Sequence, residues 1–409
     1  MSGNEEFQVH DGEAFTRETL TTRMNEYGFK NMGRLELFLW DLEMFLQIQN
    51  ILGERIVLKG GAAVQFYLPM EVQRTSVDID MIFCGTKEEI DSTLTQIESK
   101  LAHDGLLFRF KQHKPKNPKT ELPLYTYYTK VPTVLTTKEL NVAEDELNVK
   151  QIFQEIKIEF IQEEKIPDYV KRTGENIFAV NSPFEYQILS LSQLFADKLT
   201  TIGCNTIGVQ NDRMDEQVKQ FYDVMMISKY CMGELVFSEV KGKYLSRAEA
   251  EWKDRSEGAY DLNRITEDVR QQLDRYSMVD GGEDPELKKY IADFNGLYLN
   301  SKVQFTPQNV SCAAMRIRMM YDLMIEGEDW HCIEQAQQIE AMLELPHFSG
   351  RERGIMTKEL RIKLVENFAQ YSSIPANILK SKPLRRVFWA IAKVDNLDDI
   401  QKLVSAKLT

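Results

Sequence analysis

The pattern of hydrophobic and polar residues changes twice within the first 90 residues. Apolar residues in Arg34–Leu52 recur with a period close to 3.6, which predicts an amphipathic helix. A short apolar run then leads into Gly60-Gly61 and a helix-compatible stretch, as expected for a strand, a tight turn and a helix. In Thr75–Phe83 apolar and polar residues alternate, which predicts a second strand.

The rest of the chain separates into a mixed part and a helical part. Up to about residue 180, alternating segments such as Phe153–Gln162 predict further strands between a few helices. Beyond that, helical patterns recur at 214–231, 262–278, 312–326, 329–344, 356–371 and 383–409. The sequence therefore predicts an α+β fold, with a mixed β-sheet and flanking helices in residues 1–185 and a mostly helical domain in residues 186–409.

Composition narrows the class of protein. A formal net charge of −13 argues against a surface coated with basic side chains for nucleic-acid binding. The cysteines are scattered without a CxxC pair, which indicates a reducing compartment rather than disulfides or structural zinc. No apolar run approaches the roughly 20 residues of a membrane span, and the acidic N-terminus does not resemble a secretory signal. We therefore expect a cytoplasmic protein without membrane contact.

Two carboxylates, Asp78 and Asp80, interrupt the second strand. Strand alternation places both on one face, about 6–7 Å apart, opposite the apolar Ile79 and Met81. At an effective dielectric of about 20 their repulsion is roughly 2–3 kcal/mol, which a divalent cation would convert into attraction. An isolated D-x-D pair is more often a solvated surface feature, so the context has to decide between the two interpretations.

Two other features supply such a context. Backbone N–H groups at Gly60-Gly61, at the start of a helix, would favour a bound triphosphate, although a tight turn alone also requires glycine. In Phe153–Gln162, Glu159 lies on the polar face. If this strand pairs beside Thr75–Phe83, Glu159 would complete a cluster of three carboxylates. Taken alone, an exposed edge strand with mixed charges explains the same stretch equally well.

The segment Leu58–Phe83 resembles the signature of the AbiEii-type nucleotidyltransferases, toxins of the DNA polymerase β-like superfamily. The family pattern is a K-G-G turn, a helix, and R-x-S-x-D-I-D on the next strand. The matching residues are Lys59, Gly60, Gly61, Arg74, Ser76, Asp78, Ile79 and Asp80. This composite is far more specific than the D-x-D pair or the glycine pair alone.

The resemblance continues more weakly to about residue 230. Glu159 resembles the family's third acidic residue, and Lys198 lies in a stretch similar to its A-x-K-L helix. Asp223 matches the last residue of a motif written R-D-x-x-D, but Lys219 and Gln220 replace its first two residues. Ala62 also replaces the Thr or Ser that often follows the glycine pair.

The resemblance implies a nucleotidyltransferase-like fold and metal-dependent transfer of NMP from an NTP to an RNA, for example tRNA, or to a protein acceptor. A toxin of this type would also have an antitoxin partner. Mg²⁺ or Mn²⁺ would be held by Asp78, Asp80 and Glu159, which are also the implied catalytic residues. The implied nucleotide-binding residues are Lys59, Gly60, Gly61, Arg74, Ser76, Lys198 and Asp223. For Arg74, phosphate binding and a structural pairing with an acid are equally compatible with the sequence.

A basic stretch, Arg109–Lys119, contains five basic residues and no acidic one, and is followed by Tyr125, Tyr127 and Tyr128. It predicts contact with an RNA backbone and stacked bases, although a solvated loop and packed tyrosines are the more usual explanation. Two alternatives to the nucleotidyltransferase remain at this point. One is a glycosyltransferase that uses D-x-D to hold a sugar nucleotide, and the other is a non-catalytic nucleotide-binding descendant.

Overall fold

The computed structural model describes residues 8–102, 105–114, 123–140, 152–255, 258–282, 284–345, 351–368, 384–392 and 397–407. The chain forms two compact units. The first contains the described residues up to Leu194 together with Asp293–Val303, and the second contains Phe195–Ala292 and the described residues from Gln304 onward. The domain boundary predicted between residues 185 and 186 falls inside a strand of the first unit, Ser182–Leu189. The two-domain division itself stays a prediction.

A mixed sheet forms the centre of the first unit. Seven strands lie within the described residues, in the spatial order β3-β4-β5-β2-β1-β7-β6. Their bounds are β1 Ile56–Lys59, β2 Asp78–Phe83, β3 Lys111–Gln112, β4 Leu124–Pro132, β5 Phe153–Gln162, β6 Tyr169–Gly174 and β7 Ser182–Leu189. β2 is parallel to β5 and antiparallel to β1, so β5 lies beside β2, which was the condition for bringing Glu159 near the two aspartates.

Helices flank this sheet and supply its apolar cover. They are α1 Arg17–Tyr27, α2 Met32–Leu52, α3 Gly60–Gln65 and α4 Lys87–Leu101. α4 begins with a capping box, in which the Thr86 side chain and the Glu89 side chain each bond the other residue's backbone N–H. α2 is buried along most of its length and contacts β1, β2 and β5. The predicted α+β class, with a mixed sheet and flanking helices, is therefore confirmed.

The second unit is helical, as predicted for the C-terminal part. After α5 Leu191–Thr200, the helices are α6 Met214–Tyr230, α7 Phe237–Arg255, α8 Leu262–Met278, α9 Pro285–Tyr298, α10 Pro307–Glu326, α11 His331–Glu344, α12 Arg351–Phe368, α13 Leu384–Ile391 and α14 Leu397–Ser405. The first residues of α5 and the last residues of α9, from Asp293, belong to the first unit. The sequence patterns did not predict α7 and α9. None of the helices in these described ranges combines the length and the apolar character that crossing a membrane requires.

Candidate active site

The turn between β1 and α3 is built around the carboxylate of Asp80. Gly60 has φ +72°, in the left-handed region that favours glycine. A Cβ at Gly60 would lie 3.0 Å from the Cβ and Cγ of Asp80 and would overlap its Oδ2. The Asp80 carboxylate therefore packs directly on the backbone of the turn, and both the conformation and the space require glycine.

The second glycine of the turn accommodates an arginine. A Cβ at Gly61 would overlap the guanidinium of Arg74, which is 3% exposed. Arg74 Nη1 donates to the carbonyl of Thr75 at 2.9 Å, and the Arg74 backbone N–H donates to Gln65 Oε1 at 2.8 Å. Gln65 Nε2 in turn donates to the carbonyl of Gly61 at 2.8 Å. These contacts fix the segment before β2 against the turn.

A returning segment of the chain supports the same place. The backbone N–H of Thr75 donates to the carbonyl of Tyr298 at 3.0 Å, and Arg74 forms an antiparallel bridge with Leu299. Ser76, which follows, is 5% exposed. Sequence analysis did not anticipate that residues near 300 would complete this part of the first unit.

The predicted division of β2 into two faces is confirmed. Ile79 and Met81 are fully buried on one face, whereas Asp78 and Asp80 are partly exposed on the other. Cross-strand register aligns Asp80 with Glu159 of β5 and with Lys59 of β1. Three of the residues predicted from sequence motifs, in three different segments, therefore lie side by side on adjacent strands.

Glu159, however, is engaged by protein groups. Its Oε2 pairs with Lys157 Nζ at 2.7 Å, and its Oε1 accepts from Thr126 Oγ1 at 3.0 Å. Burial alone would lower the pKa of Lys157, but the hydrogen bond and charge of Glu159, with the charges of Asp78 and Asp80, raise it. Among the described residues, no group of three or more His, Cys, Asp or Glu side chains is arranged to hold a metal ion. Glu159 therefore has two protein partners, and that it joins Asp78 and Asp80 in holding a metal ion stays a prediction.

Two carboxylates nevertheless suit Mg²⁺, which proteins commonly bind through one or two carboxylates plus substrate phosphates. A buried acid on α2, Asp41, shows that the surroundings of Asp78 and Asp80 lack positive charge. Asp41, on α2, is 1% exposed, and neither of its carboxylate oxygens has a hydrogen-bond partner. Burial, and then the charges of Asp78 and Asp80, raise the pKa of Asp41 well above its usual range. A cation between Asp78 and Asp80 would relieve this negative potential, so the residues present fit the ion.

Asp41 was missed by sequence reasoning. The signal was present in "LWDLEMF", where an aspartate stands in a helical stretch whose neighbours are nearly all apolar. A charged residue at such a position is rarely buried without a partner. Local periodicity predicted only that α2 would pack against other elements. It did not indicate which strand Asp41 would approach.

The remaining predicted residues belong to the second unit and form one cluster there. Lys198 Nζ pairs with Asp223 Oδ2 at 2.8 Å and donates to Gln220 Oε1 at 2.5 Å. The Lys198 and Asp223 side chains are 6% and 0% exposed. Gln220, a departure from the family motif, therefore acts as a neutral acceptor for Lys198, and Lys219 pairs with Glu216. That Lys198 and Asp223 contact a nucleotide stays a prediction.

The basic stretch is only partly described, because residues 115–122, including Lys116 and Lys119, lie outside the described residues. Of the three tyrosines, Tyr127 is 3% exposed and donates to Asp91 Oδ1 at 2.6 Å. Tyr125 donates to Gln162 Oε1 at 3.1 Å. Tyr128 lies on the opposite face of β4 from these two and pairs in register with Lys157.

The sequence profile of the family described as "Nucleotidyl transferase AbiEii toxin, Type IV TA system" matches residues 45–298, more than half of the chain. No curated protein matches the sequence. Among solved structures, JHP933 from Helicobacter pylori is similar at 15% identity, with 82% of this chain and 100% of that chain covered and a TM-score of 0.36. MenT4, a nucleotidyltransferase toxin from Mycobacterium tuberculosis H37Rv, is similar at 12% identity, with 61% and 76% covered and a TM-score of 0.38. Both TM-scores are below 0.5, so the family assignment rests on the profile match.

Proposed function

Since the chain belongs to the AbiEii family of type IV toxin–antitoxin nucleotidyltransferases, we propose that it transfers NMP from an NTP to an RNA acceptor with the help of Mg²⁺ or Mn²⁺. One observation carries the proposal: the Asp80 carboxylate packs on the Gly60 turn, beside Asp78 on the same face of β2. This contact brings the Asp80 carboxylate to the turn that begins α3, and Asp78 lies two residues away on the same face of β2. Such an arrangement suits a metal ion bridging to a triphosphate.

In the proposed reaction an acceptor hydroxyl attacks the α-phosphorus, the bond between the α- and β-phosphates breaks, and pyrophosphate leaves. A metal ion held by Asp78 and Asp80 would neutralise charge on the phosphates and lower the pKa of the attacking hydroxyl. The backbone of Gly60 and Gly61, with Ser76, would bind the β- and γ-phosphates.

The other predicted residues take supporting roles in the proposal. Glu159, in register with Asp80, would orient the acceptor hydroxyl and accept its proton. Lys59, in register with Asp80 on the other side, would offset phosphate charge. Arg74 would hold the turn, as its contacts with Gly61 and Thr75 indicate. Lys198, paired with Asp223, would bind the triphosphate.

The acceptor and the partner are likewise proposals. We favour RNA, including tRNA, over a protein acceptor because lysines and an aromatic ring lie on the same face of the sheet as Asp78. Membership in a type IV toxin–antitoxin family supports an antitoxin that opposes the activity. The family match gives no support to a glycosyltransferase that uses a sugar nucleotide.

The test is to incubate the purified protein with each α-labelled NTP, Mg²⁺ and total cellular RNA. We expect label to enter RNA with the wild type and not with Asp78→Asn. Glu155→Gln is the control for the loss of one carboxylate from the sheet, because Glu155 is exposed and lies on β5, the strand beside β2. Label in protein would replace the RNA acceptor with a protein one. NTP binding without pyrophosphate release would instead support a non-catalytic descendant, and transfer from a UDP-sugar alone would overturn the proposal.

A further inference from the structure

A straight row of side chains crosses four strands and ends at Asp78, which together with Asp80 is the proposed metal pair. Lys111 of β3 is in register with Tyr128 of β4, Tyr128 with Lys157 of β5, and Lys157 with Asp78 of β2. Residues paired in this way share one face of a sheet. At about 4.8 Å between strands, Lys111 lies roughly 14 Å from Asp78 along the row.

We propose that Lys111, Tyr128 and Lys157, which we call the acceptor row, bind the 3′ end of a single-stranded RNA and lead it to Asp78. This inference rests on the proposed function and specifies where its acceptor lies. In it, a base stacks on Tyr128, Lys111 contacts a backbone phosphate, and Lys157 receives the last nucleotide beside the metal pair.

The tyrosines of β4 show why Tyr128 is the stacking residue. Tyr127 is buried and its hydroxyl is bound to Asp91, and the Tyr125 hydroxyl is bound to Gln162 on the same face as Tyr127. Tyr128 is partly exposed, and its ring has an edge contact with His113 at 5.9 Å between ring centroids. Aromatic rings on the face of a sheet are common platforms for single-stranded bases.

The charges on the row fit the same ligand. Lys111 is exposed, and Lys157, whose Nζ pairs with Glu159 at 2.7 Å, is a second cation in register with Asp78. The acceptor row thus consists of two lysines and a tyrosine, in a chain whose net charge is −13. Lysines on both sides of an aromatic ring match the alternation of phosphates and bases along a strand.

The experiment measures binding of a 5′-labelled single-stranded RNA to the full chain without NTP or metal, so that catalysis plays no part. Tyr128→Ala should weaken binding about tenfold or more, whereas Tyr128→Phe, which keeps the ring, should bind like the wild type. Tyr125→Ala, on the opposite face of the same strand, is the matched control and should change nothing. Lys111→Ala should weaken binding and flatten its salt dependence, and Lys171→Ala, at the far edge of the sheet, should not.

The outcomes separate this inference from the proposed function. If the wild type transfers label to RNA but Tyr128→Ala binds RNA as tightly as Tyr125→Ala does, the acceptor row is wrong and the function stands. Equal affinity for blunt duplex RNA and for the single strand would also overturn the row, because stacking requires an unpaired base. If the wild type transfers no label to RNA at all, the proposed acceptor itself fails.

Discussion

Replacing Gly60 by alanine tests whether the turn and the carboxylate of Asp80 form one functional unit. The substitution has two separable effects. The first is backbone strain, because an L-residue in the left-handed region costs about 1–2 kcal/mol. The second is steric, since the new Cβ would lie 3.0 Å from the Cβ and Cγ of Asp80. Ordinary carbon contacts are about 3.5–4.0 Å, so β2 and the turn must separate by roughly 0.5–1 Å.

Gly53 offers the matched control for the first effect. It also has a positive φ, +61°, but with ψ −131° it lies outside the left-handed region, in a conformation where the strain on alanine is at least as large; nothing lies within 4 Å of a Cβ built there. Gly53→Ala should therefore introduce strain without displacing a neighbour. Both variants should lose at least about 1–2 kcal/mol in the free energy of unfolding, measured by urea denaturation. A difference in activity between them then reports the position of Asp80.

We expect Gly60→Ala to reduce the rate of nucleotide transfer about 100-fold, because displacements near 1 Å in a reacting site have effects of that size. Mn²⁺ binding, followed by electron paramagnetic resonance, should weaken in Gly60→Ala and stay unchanged in Gly53→Ala. A Gly60→Ala protein that binds Mn²⁺ and transfers nucleotide as well as Gly53→Ala would refute the idea that the turn positions Asp80.

Four further substitutions test the charges of the site and of the helical unit. Asp41→Asn should stabilise the fold relative to the wild type, increasingly as pH rises above 3.8. The wild type loses stability over that range because the pKa of Asp41 is higher in the folded protein than in the unfolded chain. If the stability difference between the two proteins is the same at pH 5 and pH 8 in denaturation experiments, this reasoning is wrong. Asp223→Asn should cost about 3–5 kcal/mol by leaving the buried Lys198 without its counterion. Breaking the exposed Lys253 pair by Glu249→Gln should cost under about 1 kcal/mol, and equal losses would contradict the argument. Lys157→Ala should tighten Mn²⁺ binding and weaken RNA binding, because it removes a positive charge that repels the metal ion and attracts the RNA backbone. If both affinities change in the same direction, Lys157 does not act between the two aspartates and the RNA.

Local pattern was sufficient to predict the strand that carries Asp78 and Asp80, because period-2 alternation specifies which side chains share a face. The same alternation placed Glu159 on the polar face of β5 but left open whether β5 pairs beside β2, which the register in the structure decides. Local pattern could not predict contacts between segments that are distant in the sequence. The Arg74 guanidinium over Gly61, the approach of Asp41 and the Lys157–Glu159 pair depend on tertiary packing, which no local period encodes. The sequence patterns did not predict β7 for a related reason. Its apolar residues Tyr186, Ile188 and Leu189 run directly into α5, and pairing with β6 and β1 distinguishes them as a strand.

The contact between Thr75 and Tyr298 gives the site an order of assembly. The strand that carries the two aspartates begins at residue 78, yet the backbone just before it is held by residues more than 220 positions later. Asn300 also donates to the carbonyl of Glu71 at 2.8 Å, beside the same segment. During synthesis, a ribosome must therefore release almost three quarters of the chain before these supports exist. A nascent chain that has not yet emerged to residue 300 therefore lacks the contacts that hold the segment before Asp78 and Asp80.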